Sequence, residues 1–194
     1  MPEPDGPSEL WVCRHGATAW SRAGRHTGRT DVPLLPVGEE QARALGARLA
    51  DAGAPFHLVL TSPLRRARAT AALAGFPDAE VTADAAEWDY GDYEGLTRAA
   101  IRERVPGWTI WTHPVPGGET AGQVAARADR IVARVRAAGG RALLVAHGHL
   151  LRVLAARWVG LPATAGAHLR LDTGTLSVLG WERETPAVAR WNIP

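Results

Sequence analysis

Lysine is absent from the sequence, and cysteine occurs once, as Cys13. The 22 basic residues are therefore all arginines, and 20 acidic residues bring the formal net charge to +2. A lone cysteine excludes an internal disulfide, which agrees with a reducing compartment. The arginines alternate with acids and form no basic tail. Most of them are therefore predicted to lie on solvated helix faces, and nucleic acid is not an expected partner.

Long hydrophobic runs are missing as well. No apolar stretch approaches the ~20 residues that a membrane-spanning helix needs, so a membrane is not an expected partner. The first ten residues, MPEPDGPSEL, contain no basic segment followed by an apolar one. We therefore predict no secretory signal and a cytoplasmic location. With 194 residues, 46% of them hydrophobic, the chain is predicted to form a single domain over residues 1–194 with a sizeable core.

What the sequence does contain is an alternation of short apolar segments and helical ones. We predict strands over residues 10–14, 58–61, 142–146, 169–172, 175–181 and 188–191, of which 169–172 and 175–181 are compatible with a hairpin. We predict helices over residues 37–51, 120–138 and 150–158. A further helix is predicted to begin with Ser62 as N-cap and Pro63 at its first position, and to stop at Gly75. The alternation predicts a three-layer α/β/α sandwich with a mainly parallel central sheet.

Residues 87–118 do not follow this alternation. The segment contains several tryptophans and prolines, namely Trp88, Trp108, Trp111, Pro106, Pro114 and Pro116. We predict an irregular excursion over one edge of the sheet that is long enough to form a lid.

Three of the predicted strands end in charged or titratable residues, within residues 14–16, 62–66 and 147–149. The carboxyl ends of parallel strands form the ligand crevice of an open α/β sheet, so these endings are expected to converge. Helix N-termini at Pro63 and near Gly148 would lie beside them and favour an anion. Because arginine forks also match phosphate oxygens, the expected ligand is a phosphate group.

Each of these features has an ordinary structural explanation when it is taken alone. An Arg-His pair can be a solvated strand edge, and His147 can be a core histidine bonded to the backbone. Arg65, Arg66 and Arg68 can all be helix surface, and their spacing does not choose among them. The coincidence of three such strand ends favours a functional site.

Two histidines at one site suggest a particular chemistry. One imidazole can attack phosphorus and form a phosphohistidine, which divides one difficult step into two easier ones. The other can stabilise the oxygens of the transition state. A guanidinium beside the attacking imidazole disfavours its protonation, which gives a reason for Arg14 to adjoin His15.

A leaving alkoxide also requires a proton donor. Four carboxylic acids fall within eight residues, namely Glu87, Asp89, Asp92 and Glu94. A carboxyl group beside a bound phosphate dianion can serve as the general acid, although a solvated acidic loop would have the same spacing. The spacing alone does not say which acid acts.

The motifs resemble those of the histidine phosphatase superfamily, also called the phosphoglycerate mutase-like family. The Arg14-His15-Gly16 triplet, TSPLRRARATA (residues 61–71), AEWDYGDYEG and VAHGH (residues 145–149) match its ordered signatures over nearly the whole chain, from about residue 10 to residue 181. The resemblance implies a phosphoglycerate mutase-like fold. It assigns the phosphate arginine to Arg66, the proton donor to Glu87 and the second histidine to His147.

The stretches WSRAGRHTGRTDVPL, EWDYGDYEG, GWTIW with GGET, and AHGHLLRVLAARWVGL look like those of the sedoheptulose-1,7-bisphosphatase branch. This resemblance implies substrate contacts from Ser21, Thr27, Gly28, Tyr90 and Arg152. The sequence also departs from its relatives. Ala17 and Ala19 stand where acids are common, His26 stands at a usually aromatic position, and His149 replaces an Asn or Ser. The chain is also shorter than those bisphosphatases.

We predict a phosphatase that needs neither a metal nor another cofactor and hydrolyses small phosphate esters, sugar phosphates among them, with inorganic phosphate as product. A mutase is an alternative. The mutases, however, have a longer lid whose basic residues include a lysine, whereas this chain contains no lysine and its predicted lid is shorter. A metal hydrolase using His15, His147, His149 and Asp89 and a non-catalytic phospho-ligand-binding module are further alternatives. The oligomeric state is not predicted.

Overall fold

A six-stranded sheet organises the structure, a computed structural model that describes residues 8–51, 53 and 55–194. The strands are β1 (Glu9–Arg14), β2 (Leu58–Thr61), β3 (Glu80–Val81), β4 (Arg141–Ala146), β5 (Leu176–Glu182) and β6 (Thr185–Ile193). They are arranged in the order β3-β2-β4-β1-β5-β6. β1, β2, β3 and β4 are parallel to one another, whereas β5 and β6 run antiparallel to their neighbours.

The described residues also form six α-helices and three short 3-10 helices. The α-helices are α1 (Ala19–Arg22), α2 (Pro36–Ala50), α3 (Arg65–Leu73), α4 (Arg98–Arg104), α5 (Ala121–Ala138) and α6 (Gly148–Trp158). The 3-10 helices are Ala83–Ala85, Gly91–Tyr93 and Ala163–His168. None of the helices in this part of the chain is long and apolar enough to cross a membrane. Residues 1–7, which bear on the predicted absence of a secretory signal, lie outside the described residues.

Helices cover both faces of the sheet because the strands alternate buried side chains between them. One face joins Leu10 and Val12 of β1 to the apolar sides of α5 and α6. The other face joins Trp11 and Cys13 of β1 to α2 and α3. This period of two is that of a strand buried on both sides. The predicted three-layer α/β/α sandwich is confirmed, with a mixed sheet in which the parallel strands are in the majority.

The parallel register brings the three predicted strand ends to one edge of the sheet. Arg14 is paired with Ala146 across β1 and β4, and Thr61 is paired with Val145 across β2 and β4. The residues that follow these strands therefore leave the sheet at the same level. Their side chains are collected at the carboxyl edge, as the strand pattern predicts.

The predicted N-cap at Ser62 is wrong, because α3 begins at Arg65 and its N-cap residue is Leu64. The Ser62 hydroxyl is already engaged by His147 Nε2 at 2.6 Å and accepts the Leu64 N–H. The N–H of Arg65 is bound by Asp31 Oδ1 at 2.8 Å, so a distant carboxylate satisfies one of the first amides of the helix. Similarly, α6 begins at Gly148, two residues before the predicted start.

The predicted strand over residues 169–172 is also wrong, since these residues belong to no strand. Side chains form hydrogen bonds with the backbone N–H and C=O groups that would otherwise pair with a neighbouring strand. Arg14 Nη1 donates to Leu171 O, Trp191 Nε1 donates to the Arg170 carbonyl, and the Asp172 N–H is bound by Asn192 Oδ1. The hairpin in this region is formed by β5 and β6 instead. The predicted edge strand over 188–191 is part of β6.

The excursion over residues 87–118 contributes its large side chains to the core. Trp88, Tyr90, Ile101 and Trp108 are each no more than 2% exposed. They join the same apolar cluster as α5 and α6. The excursion also contains α4, a helix that was not predicted from the sequence. A lid role for this segment, like the single-domain organisation, stays a prediction.

A close contact between the loop after β1 and the first turn of α2 generates a stability prediction. A Cβ on Gly38 would lie 2.2 Å from the Ala17 carbonyl oxygen, whereas one on Gly122, in the first turn of α5, would meet nothing nearer than 3.9 Å. We expect Gly38→Ala to lower the free energy of unfolding by about 2 kcal/mol or more through overpacking. The matched control Gly122→Ala should raise it by about 0.5 kcal/mol, because alanine is the better helix former. Urea denaturation of both variants measures the difference, and equal effects would contradict the contact.

Candidate active site

His15 follows the last residue of β1 and is only 5% exposed. Its Nδ1 lies 2.8 Å from the carbonyl oxygen of Gly16. A carbonyl oxygen can only accept, so Nδ1 must carry a proton and donate it. Burial, and then the charges of Arg14 and Arg66, hold the pKa of His15 well below its ordinary value. The ring is therefore neutral, and its Nε2 presents a lone pair, as a nucleophile requires.

His147 follows β4, is fully buried, and has both ring nitrogens engaged. Arg66 Nε lies 3.2 Å from His147 Nδ1, and Ser62 Oγ lies 2.6 Å from Nε2. A guanidinium can only donate, so Nδ1 is the acceptor and Nε2–H donates to the Ser62 hydroxyl. Burial, followed by the charges of Arg66 and His15, holds the pKa of His147 well below its ordinary value. The rings of His15 and His147 are 5.1 Å apart, centre to centre.

Arg66 is the buried member of the three arginines that the spacing left open, since Arg65 and Arg68 are exposed. Its Nη1 donates to the carbonyl of Thr30 at 3.0 Å, and its Nη2 donates to the carbonyls of Thr27 and Gly28 at 2.8 and 3.2 Å.

With the bond from Nε to His147, four of the five N–H groups of Arg66 are engaged by protein atoms. Arg66 therefore does not present a free bidentate fork. It acts through its charge, its one remaining N–H and its contact with His147.

Arg14 differs from Arg66 in this respect. Its Nη1 donates to the carbonyl of Leu171 at 2.5 Å, while its buried Nε has no hydrogen-bond partner among the residues that the structure describes. A Cβ on Gly148 would come within 3.3 Å of Arg14 Nε and Cζ, so glycine leaves the guanidinium room beside the start of α6. A buried donor without a partner is costly and is expected to bind a ligand oxygen.

The carboxylate of Glu87 lies at the N-terminus of α6. Its Oε1 accepts the N–H groups of Trp88 and Leu150 at 2.9 Å each, and its Oε2 accepts the N–H of His149 at 3.1 Å. These donors fix the carboxyl group in position. Because Oε2 accepts a single N–H, it is the oxygen with room for a proton.

The segment that holds Glu87 is anchored by Arg127 of α5, which the sequence analysis did not single out. Its guanidinium donates to the carbonyls of Asp84 and Ala86 at 2.7 and 2.8 Å. It also forms a bidentate pair with Glu119, with both distances 2.8 Å. Glu119 belongs to the GGET stretch at residues 117–120. This stretch was the feature of the sequence that pointed to the partner of Arg127.

Most of these groups surround one cavity of about 190 Å³. Its lining consists of Arg14, His15, Ser21, Gly24, Arg25, His26, Thr27, Glu87, Tyr90, Gly148, His149, Arg152 and Leu171. Three predicted site residues are not part of this lining. Arg66 and His147 lie behind it, and the Gly28 amide is bound by Glu94. The lining residues that were not predicted as catalytic or substrate-binding are Gly24, Arg25, His26, His149 and Leu171. Of these, His26 and His149 stood out in the sequence as departures from the relatives. Leu171 offered no sequence signal because its role is a backbone carbonyl.

Tyr90, His149 and His26 form one wall of the cavity. Tyr90 Oη lies 2.5 Å from His149 Nδ1, and the His26 ring is stacked parallel to that of His149 at 6.1 Å. Burial, followed by the charge of Arg152, holds the pKa of His149 well below its ordinary value. The pKa of His26 is also lowered, mainly by burial. Burial, followed by the charge of Glu87, raises the pKa of Tyr90 well above its ordinary value.

A second cavity of about 400 Å³ adjoins the first and shares His26, His149 and Arg152 with it. Its other lining residues are Arg98, Trp108, Thr109, Ile110, Trp111, Thr112 and Ala167. The Arg152 guanidinium lies 4.6 Å over the Trp111 ring and donates to the Gly166 carbonyl at 2.9 Å. We call this second cavity the side cavity.

The four acids of the sequence analysis have separate positions. Glu87 lines the cavity, Asp89 pairs with Arg29 at 2.6 Å, Asp92 is exposed, and Glu94 binds backbone amides. Among the residues that the structure describes, no group of three or more histidine, cysteine or acidic side chains is arranged to hold a metal ion.

An α/β/α sandwich whose carboxyl edge collects two guanidinium groups, a neutral imidazole and a carboxylate is typical of an enzyme that acts on an anionic group such as phosphate. A family model described as the histidine phosphatase superfamily (branch 1) matches residues 10–194. The chain belongs to this superfamily, as its motifs indicate.

Three curated relatives illustrate the range of the family. The chain is 45% identical over 175 residues to an acid phosphatase of Mycobacterium tuberculosis (strain ATCC 25618 / H37Rv), covering 89% of this chain and 86% of that protein. It is 37% identical over 181 residues to the sedoheptulose 1,7-bisphosphatase of Saccharomyces cerevisiae (strain ATCC 204508 / S288c), covering 77% and 67%. It is also 37% identical over 196 residues to a 2,3-bisphosphoglycerate-dependent phosphoglycerate mutase of Methylobacterium sp. (strain 4-46), covering 91% and 92%.

A solved structure agrees with the fold. The product of the open reading frame Rv3214 from Mycobacterium tuberculosis is superimposed with a TM-score of 0.91 and 42% sequence identity, covering 96% of this chain and 97% of that chain. The predicted phosphoglycerate mutase-like fold is thereby confirmed, and the chain is an enzyme of the phosphatase class. The roles of the individual site residues stay predictions.

The lowered pKa values of His15, His26, His147 and His149 generate a prediction about stability. In the unfolded chain these imidazoles bind protons below about pH 6.5, whereas the folded chain resists their protonation. The free energy of unfolding should therefore fall as the pH is lowered through this value, by up to about 1.4 kcal/mol per pH unit for each histidine. Urea denaturation between pH 7.5 and 5.0 in phosphate-free buffer measures the slope. A stability that is independent of pH over this range would contradict the buried neutral histidines.

Proposed function

We propose that the protein hydrolyses phosphate monoesters through a phosphohistidine formed on His15. The observation that supports this most strongly is the hydrogen bond from His15 Nδ1 to the Gly16 carbonyl. It leaves the Nε2 lone pair of a neutral ring in a cavity that Arg14 also lines, and the Nε of Arg14 has no hydrogen-bond partner in the described part of the chain. A nucleophile and a buried anion-binding donor in one cavity are what phosphoryl transfer requires.

In the first half of the reaction, the His15 Nε2 lone pair attacks phosphorus and the bond to the ester oxygen breaks. Glu87 gives its proton to the leaving oxygen, so an alcohol departs rather than an alkoxide. Arg14 donates hydrogen bonds to the phosphoryl oxygens, and Arg66 supplies positive charge and one N–H from behind. His147, whose Nδ1 accepts the Nε–H of Arg66, holds this guanidinium beside the phosphoryl group.

In the second half, a water molecule takes the place of the alcohol. Glu87, now a carboxylate, accepts a proton from this water while the oxygen attacks phosphorus. The bond between phosphorus and Nε2 breaks, its electron pair returns to His15, and inorganic phosphate is released. Glu87 ends the cycle protonated, ready for the next ester.

For the substrate class, we propose small phosphorylated metabolites, sugar phosphates among them. The cavity around His15 is small, so the remainder of the ester must extend beyond it. The side cavity provides room for that remainder, and its polar lining of His26, His149, Arg98 and Arg152 is suited to hydroxyl and anionic groups. The bisphosphatase named among the relatives is consistent with this class. Tyr90 and Ser21 are the further substrate contacts in this proposal.

Transfer of the phosphoryl group to a second substrate is the alternative outcome, since a mutase is among the relatives. The chain contains no lysine that could help to retain a bisphosphate intermediate. We therefore propose that water is the acceptor. A cytoplasmic location completes the proposal and is supported by the single, buried cysteine.

The first experiment measures hydrolysis of p-nitrophenyl phosphate and of a panel of sugar mono- and bisphosphates, phosphoglycerates and nucleotides. It includes an assay for mutase activity on 3-phosphoglycerate. We expect phosphate release from sugar phosphates, and we expect His15→Ala to abolish it while the control His57→Ala, at an exposed histidine before β2, retains wild-type turnover. Acid-quenched wild-type enzyme should contain acid-labile phosphohistidine. Residual turnover by His15→Ala above a small percentage would refute the mechanism, and isomerisation without phosphate release would identify a mutase.

A second prediction concerns Glu87, which is expected to protonate the leaving oxygen. Glu87→Gln keeps the shape, and its oxygen can still accept the N–H groups of Trp88 and Leu150, but it loses the bond from the His149 N–H and has no acidic proton. We expect a loss of kcat of about 10²-fold or more on a sugar phosphate and a much smaller loss on p-nitrophenyl phosphate, whose leaving group needs little protonation. Equal losses on the two substrates would contradict the assignment of Glu87 as general acid.

A further inference from the structure

Glu94 lies outside both cavities, yet its carboxylate has well-defined partners. Its Oε1 accepts the N–H groups of Gly28 and Thr30 at 3.0 Å each, and its Oε2 accepts the Gly28 N–H at 2.9 Å. A carboxylate that binds backbone amides forms a charge-assisted hydrogen bond, which is stronger than one between neutral groups. The carboxylate therefore fixes the segment of residues 27–30 from one side.

The other side of the same segment faces Arg66. The carbonyl oxygens of Thr27, Gly28 and Thr30 accept three of its N–H groups, at 2.8, 3.2 and 3.0 Å. Residues 27–30 thus form a bridge whose amides bind Glu94 and whose carbonyls bind Arg66. Movement of this bridge must move the guanidinium group.

The packing around Gly28 leaves the bridge little freedom. A Cβ on Gly28 would lie 2.6 Å from the Trp88 carbonyl oxygen and 2.8 Å from Glu94 Oε2. Any side chain at this position would therefore push the bridge away from its anchor. Gly28 is required here for close approach, not for an unusual backbone conformation.

The final contact in this series is the one from Arg66 Nε to His147 Nδ1, at 3.2 Å. It determines which nitrogen of His147 accepts and which donates to Ser62. The groups whose charges act on His147 are Arg66 from α3, His15 and Arg14 from the end of β1, and Arg127 from α5. Of these, Arg66 is the one in direct hydrogen-bond contact.

We infer that Glu94 is a positioning residue, which holds Arg66 against His147 through the bridge of residues 27–30 and so fixes the proton of His147 on Nε2. The inference deepens the proposed function, because His147 and Arg66 matter to catalysis only if the phosphoryl group binds beside them. The contacts themselves, however, can be tested without any turnover.

The test compares the wild-type protein with Glu94→Gln by ¹⁵N NMR of the His147 imidazole, which reports the protonated nitrogen, together with calorimetric titration of inorganic phosphate. The glutamine puts an N–H donor against the Gly28 amide and removes the charge, so the bridge should shift and Arg66 Nε should leave His147. We expect the pKa of His147 to rise towards its ordinary value and the Nε2–H tautomer to lose its preference. We also expect kcat to fall about tenfold, as loss of one hydrogen bond to a charged group predicts, with less change in KM.

Three further variants make the test specific. Glu103→Gln removes the same charge from an exposed site on α4 and should leave every readout unchanged. Glu94→Asp keeps the carboxylate and should restore part of kcat and of the His147 tautomer. Gly28→Ala should change the tautomer and pKa of His147 in the same way as Glu94→Gln, because its added Cβ displaces the bridge while the Glu94 carboxylate is kept.

The inference is overturned if folded Glu94→Gln retains the wild-type tautomer and pKa of His147, or if Glu103→Gln alters them equally. A change in thermal stability with an unchanged His147 spectrum would identify Glu94 as structural only, which also overturns it. Wild-type protein without phosphatase activity would refute the proposed function and leave the NMR outcome to decide the positioning role separately.

Discussion

Burying positive charge costs several kcal/mol per group unless hydrogen bonds compensate. At the carboxyl edge of this sheet the guanidinium group of Arg66 lies buried, and Arg14 beside it is partly buried. Arg66 is surrounded by carbonyl oxygens, which have dipoles but no net charge. Glu87 is the one acidic side chain in the described lining of the cavity. The region therefore keeps an excess of positive charge, which adds to burial, the larger cause, in keeping the adjacent His15 and His147 neutral. The same excess of positive charge attracts a dianion.

The sequence predicts those parts of the site that depend on strand order and local pattern. Apolar segments that end in Arg14, Ser62 and His147 predict convergence, because parallel strands share a carboxyl edge. Period-two burial in β1 and the helices between strands predict the sandwich. The family motifs then select Arg66 from three neighbouring arginines, and the structure shows that Arg66 is indeed the buried one.

The remaining features depend on contacts between distant segments, which no local pattern encodes. Residues 169–172 have the apolar character of a strand, but side chains from elsewhere bind their backbone groups, Arg14 among them. The hydroxyl of Ser62 is typical of a helix cap, but His147 engages it. The carbonyl oxygens around Arg66 belong to residues about 36 to 39 positions earlier in the chain, and a backbone carbonyl has no identity in the sequence.

The Nε of Arg14, which has no hydrogen-bond partner among the residues that the structure describes, would link ligand binding to folding. The described part of the native chain gives this buried donor no partner, whereas the unfolded chain would hydrate it, so an oxyanion bound at this position would stabilise the native state alone. A ligand that binds only the folded form contributes a stability that grows with the logarithm of its concentration. Orthophosphate, the product that we propose, would be such a ligand. The phosphate level around the protein would then act on both turnover and lifetime, slowing the enzyme while protecting it from unfolding.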